Sequence, residues 1–234
     1  MEEEGQLESE GEEGDDIDDL DQTFCQRMKS VLGNKKYVLL CIALSGLYFI
    51  IAGIQYWISD YMITIIKQEE TVVFISFAFI SITGPVLGVV VGGNVTTYLG
   101  GYRSRKALFI SQLIAVFCLL CAAPIPFFMN FYVVCVLLWF LLFFGGSILP
   151  CMTGIMLNTV SDSQKTTANS LANLSYNMLG YLPSPFVYGA IYDMGEGQNA
   201  QAAMMTLMFS PIISVTTLFI SAYFIRKEDG HHLI

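Results

Sequence analysis

Asn169, Asn173, Tyr176, Asn177, Gly180, Ser184 and Tyr188 recur at intervals of three and four, so on a helix of period 3.6 they form one stripe of neutral polar groups. No charge interrupts the stretch from Thr166 to Tyr192 that carries them. Three amides facing lipid would be costly, which directs the stripe toward protein or a water-filled cavity. Cavity lining and interhelical hydrogen bonding that only holds a bundle together are the two readings. A weaker stripe, Ser45, Tyr48, Ala52, Gln55 and Tyr56, lies near the N-terminal end. The candidate substrate contacts are therefore Gln55, Tyr56, Asn169, Asn173, Tyr176 and Asn177.

Other chemistry is poorly provided for. Cys118-Leu-Leu-Cys121 has the spacing of a metal or redox pair, but no His or second pair accompanies it and its surroundings are apolar, so it reads as core packing. His231 and His232 are tail residues. The Ser-with-base and metal constellations of hydrolytic enzymes are not in the pattern, so no catalytic residue, metal or cofactor is expected. Nor does anything suggest nucleic-acid binding.

The residues of the stripes must be positioned by membrane helices. The intervals Lys36 to Asp60, Thr71 to Tyr102, Ala107 to Ser161, Thr166 to Tyr192 and Gly197 to Ile225 contain no charge within them, and about 20 such residues cross a hydrocarbon core. Pro124, Pro126 and Asn130 divide the longest interval in two. Six transmembrane helices result, at about 37–58, 72–95, 107–123, 132–157, 167–192 and 202–225, an all-α membrane protein. Pro85 in the second, and Pro183 and Pro185 in the fifth, predict kinks. Gly84, Gly88 and Gly92, four apart, predict a face that a neighbouring backbone approaches closely.

Ten of the eleven Lys and Arg residues fall on one side of this alternation, Lys67 being the exception. Short basic loops stay in the cytoplasm, so both termini are expected there. Twelve of the twenty acidic residues lie within residues 1–21, which hold no base. Residues 1–30 therefore read as a disordered acidic cytoplasmic tail, 31–227 as the bundle and 228–234 as a cytoplasmic C-terminal tail.

Two segments resemble a known family. Gly93 to Lys106, reading Gly-Asn-Val-Thr-Thr-Tyr-Leu-Gly-Gly-Tyr-Arg-Ser-Arg-Lys, is similar to the cytoplasmic loop signature of major facilitator superfamily transporters, with Gly93, Gly100 and the basic cluster Arg103, Arg105 and Lys106 matching. Thr97 stands where that signature has an acid. Ala168 to Asp193, with its Leu-Gly-x-x-Pro-x-Pro-x-x-x-Gly core, looks like the eleventh helix of spinster-like lipid transporters and, secondarily, of organic anion transporting polypeptides.

The resemblance implies that six helices form two three-helix inverted repeats, the C-terminal half of a twelve-helix transporter. It further implies cavity-facing first, second, fourth and fifth spans, peripheral third and sixth spans, and a gating role for Gly93, Gly100, Arg103, Arg105 and Lys106. The implied partners are the bilayer, a small organic or lipid-like substrate, and an N-terminal six-helix half. That half would be encoded upstream in the same gene, as a separate chain, or by a second copy in a homodimer. A truncated gene model is the reading first in line, and the sequence upstream of Met1 would decide it. A non-transporting membrane scaffold with a partner-binding acidic tail is the alternative function.

Overall fold

Asn34 begins the bundle by capping a long helix: its side-chain oxygen accepts from the backbone N–H groups of Lys36 and Tyr37, at 3.0 and 3.4 Å. The structure is a computed structural model that describes residues 24–98, 100–102, 105–195 and 199–231; within these, nothing is said of the side chains of residues 24, 25, 105 and 225–231. All regular elements among the described residues are helical. They are α1 (Phe24–Gly33), α2 (Lys35–Thr64), α3 (Glu70–Tyr98), α4 (Arg105–Ala122), α5 (Phe131–Leu157), α6 (Lys165–Tyr176), α7 (Pro183–Asp193), α8 (Ala200–Phe209) and α9 (Pro211–His231).

Among the described residues, five stretches are long and apolar enough to cross a membrane: α2, α3, Lys106–Phe127, α5, and Ala200–Phe224, which joins α8 to most of α9. The fifth expected span is divided. Its twelve-residue α6 and eleven-residue α7 are separated by a π-helical turn, Asn177–Tyr181, closed by Leu182 N–H donating to the Asn177 carbonyl at 2.9 Å. Pro183 and Pro185 account for the widening, because neither has an N–H to give and each ring crowds the carbonyl four residues back. The sixth expected span breaks at Ser210, just before Pro211. Pro85 sits inside α3, which runs through it unbroken.

Helix also reaches into both expected tails. Residues 24–30 belong to α1, whose Val31 is fully buried and whose Ser30 accepts from Gln164 Nε2 at 3.3 Å. An amphipathic turn docked on the bundle is thus ordered where charge density alone suggested a tail. Residues 228–231 continue α9; residues 1–23 and 232–234 lie outside the described residues.

α2 is the central element. Burial reaches 67% of its apolar stretch, against 22% for α3. Tyr37 Oη donates to the Ala168 carbonyl at 2.6 Å, Ser184 Oγ to the Phe49 carbonyl at 2.6 Å and Trp57 Nε1 to the Pro185 carbonyl at 3.2 Å. These contacts advance together along both chains, so α2 runs parallel to the α6–α7 segment. α3 likewise runs parallel to α5, with Gly84 against Trp139 and Leu142, Gly88 against Phe143, and Gly92 against Ser147. A Cβ on Gly88 or Gly92 would collide with the carbonyl oxygen of Phe143 or Ser147, so the three-glycine face does permit close backbone approach. α4 packs on α5, α9 packs on α2, and α4 and α9 touch each other.

Candidate functional site

The single stripe read from the sequence separates into two adjacent ridges. Tyr176, Gly180, Ser184 and Tyr188 face α2 and are packing residues. Tyr176 stacks on Tyr48 with ring centroids 4.0 Å apart and planes 8° from parallel. Gly180 lies where a Cβ would strike the Ser45 carbonyl oxygen, Ser184 is bonded to Phe49, and Tyr188 stacks on Trp57 at 4.6 Å. For this ridge, interhelical adhesion is the correct reading.

Asn169, Asn173 and Asn177 form the second ridge, and the bundle leaves it largely uncovered. Asn169 and Asn177 are exposed and Asn173 is half-buried. Asn173 Nδ2 donates to the Asn169 carbonyl and Asn177 Nδ2 to the Asn173 carbonyl, both at 2.8 Å. Tyr176 Oη donates to Asn173 Oδ1. Each back-bond uses one of two N–H donors, so the ladder still has free donors, and Asn177 Oδ1 has no partner among the described residues.

Tyr181, four residues beyond Asn177, continues the exposed ridge and donates through Oη to Gln55 Oε1 at 2.8 Å. The expected contacts thus fall on two parallel helices joined by the Tyr48–Tyr176 stack and the Gln55–Tyr181 bond. Tyr56, 61% exposed, lines a second hollow that Tyr181 borders as well. The π-turn lies in the middle of the arrangement, and such turns shift the register of one ridge relative to another.

A cavity of about 190 Å³ sits where α2, α3 and α5 meet, lined in part by Tyr48, Gln55, Phe77, Ser81, Pro85 and Gly146. Ser81 Oγ is buried there with no hydrogen-bond partner among the described residues. Most helical hydroxyls of the bundle back-bond to a carbonyl three or four residues earlier, as Ser45, Thr83 and Ser147 do. Sequence reasoning missed Ser81, Tyr181 and Trp57. Ser81 lies one turn before Pro85, and that proximity was the available signal.

The loop after α3 begins with a glycine stop. Gly100 N–H donates to the Thr97 carbonyl and Gly101 N–H to the Thr96 carbonyl, at 3.3 and 3.1 Å, and Gly100 has φ of 100°. This is the two-bond glycine stop of a helix, in a conformation that side chains disfavour. Tyr102 then packs its ring on Gly154 of α5. Gly93 has open space where a Cβ would be, and Lys106 is exposed. Arg103 and the Arg105 side chain lie outside the described residues. Among the described residues no group of His, Cys, Asp and Glu could hold a metal ion, and Cys118 is buried in the core.

Compared with models of known protein families and with curated proteins, the chain matches none.

Proposed function

We propose that this chain forms one six-helix wall of a secondary transporter for an organic solute, lipid-like solutes included, with Gln55, Asn169, Asn173 and Asn177 facing the substrate and Tyr176, stacked on Tyr48, packing behind them. The uncovered amide ridge carries this reading. A helix in an apolar bundle holds three amides at its surface, and lipid is a poor neighbour for them. A second wall enclosing water and solute would relieve that cost.

The order of packing supports the finer architecture. Counting the α6–α7 segment as the fifth span and α8–α9 as the sixth, the second lies on the fourth as the fifth lies on the first. The third lies on the fourth as the sixth lies on the first. Exchanging spans one to three with four to six reproduces the pattern, and the exchanged helices run in opposite directions. Two inverted three-helix repeats of the major facilitator type would pack this way. The spinster-like likeness in Ala168 to Asp193 makes a lipid-like solute the first class to assay.

Asn173→Ala combined with Asn177→Ala is expected to lower uptake at least tenfold in cells that express the chain with its partner half, while surface abundance is unchanged. Abundance that falls with uptake per molecule intact would make the amides structural and end the reading.

A further inference from the structure

We infer that the outer ends of α2 and α7 form a binding site for an organic monocation, a quaternary or protonated amine. The inference names a group that the proposed wall would receive at its outer end, and in that respect rests on the transport reading. Its physical basis is separate from the amide ridge. A hollow of about 620 Å³ is lined by Tyr56 and Trp57 of α2, Tyr181 of the π-turn, and Pro185, Phe186 and Asp193 on the α7 side.

Four aromatic rings and one carboxylate converge on this volume. Ring faces carry negative electrostatic potential and attract alkylammonium groups, most strongly where water is partly excluded. Trp57 is held from behind by the Tyr188 stack and by its bond to the Pro185 carbonyl. Tyr181 is held by Gln55. These rings are therefore oriented before any ligand arrives, which lowers the ordering cost of binding.

Asp193 supplies the counter-charge. It is the last residue of α7, at the negative end of the helix dipole, where a cation, not a carboxylate, would be favoured. No basic side chain among the described residues lies within ion-pair distance of it. A hollow walled by rings and closed by a carboxylate at a helix C-terminus is complementary to a hydrophobic cation. An anion or a neutral sugar would gain nothing from Asp193.

The chain has two tryptophans, so Trp139→Phe leaves Trp57 as the only indole, inside the hollow. That variant, purified whole in a maltoside detergent, is titrated with tetramethylammonium chloride, with sodium chloride at equal ionic strength as control. Trp57 emission is expected to change saturably with tetramethylammonium alone. Asp193→Asn should raise the half-saturating concentration about tenfold, the order of one lost charge pairing. Tyr56→Ala should also raise it, whereas Asp193→Glu and Tyr56→Phe should keep binding.

Two further arms separate the sources of the cation. Competition by free choline points to a soluble ligand. An emission shift in phosphatidylcholine nanodiscs that phosphatidylglycerol nanodiscs lack points to a lipid headgroup. No saturable response, an equal response to sodium, or an unchanged titration in Asp193→Asn with helical circular dichroism retained overturns the inference. Because Asp193 is not in the amide ridge, loss of cation binding with uptake sensitivity at Asn173 and Asn177 intact would leave the transport reading standing.

Discussion

Asn34 shows how much one side chain can decide in a protein whose interior has few polar groups. Its oxygen caps α2 while its Nδ2 donates to the Thr159 carbonyl at 2.6 Å, tying the entrance of the first span to the exit of the fourth. Asn34→Ala is expected to cost about 1–2 kcal/mol, the usual worth of a lost cap. Asn34→Ser keeps a capping oxygen and loses only the tie, so it should cost less, whereas Asn34→Asp would set a carboxylate oxygen against the Thr159 carbonyl; denaturant titration in detergent followed by circular dichroism would order the variants. The second bond of Asn34 joins positions 125 residues apart. No local pattern carries that information. The same holds for Ser81, whose hydroxyl is marked as unusual only once its buried position without a hydrogen-bond partner among the described residues is known.

Whole helices are joined here by close backbone approach more than by interlocking large side chains. Along α3 the ridge Gly84, Gly88 and Gly92 is the surface that meets α5, while Phe74, Ile75, Phe79 and Ile82 remain exposed. Gly88→Ala should push the two helices apart and destabilise the bundle by about 1–3 kcal/mol, the usual range for overpacking. Gly93→Ala, one residue past the ridge, has room for its methyl group and is expected to be neutral or slightly stabilising. Thermal unfolding of the two variants side by side tests the assignment. Gly101→Ala belongs to a third class: nothing lies within 4 Å of its Cβ position, but φ of 79° disfavours a Cβ, and a loss of about 1 kcal/mol is expected in the same assay. Four-residue glycine spacing revealed the ridge from the sequence alone. Which helix it would meet was not visible there, because every other span is apolar enough to serve.

At the scale of the molecule, the face of α3 that carries Phe74, Ile75, Phe79 and Ile82 is exposed and the amide ridge is largely uncovered among the described residues, although α2 is enclosed on most sides. A wall of a transport cavity should look this way, so the purified chain is expected to pair, with itself or with a second six-helix protein, and mass photometry in mild detergent should find two bundles per particle. Solitary bundles that still support uptake would contradict this. The expected sidedness is equally open to measurement. Lys67→Cys should react with an impermeant maleimide from outside intact cells, and Lys29→Cys only after permeabilisation.

Hydropathy by itself determined that the chain is helical, with several helices long and apolar enough to span a membrane, because the cost of unpaired backbone in lipid allows few alternatives to a helix over 20 apolar residues. Basic-residue bias supplied an expected orientation, and small-residue spacing a packing face. Tertiary structure decided which polar residues are adhesive and which are uncovered. Tyr176, Gly180, Ser184 and Tyr188 are spaced like the amides, yet the two sets part because the prolines widen α6–α7 into a π-turn and α2 occupies only one of the resulting ridges. Periodicity records the angle of a residue about its own helix. What lies at that angle depends on where the other helices are.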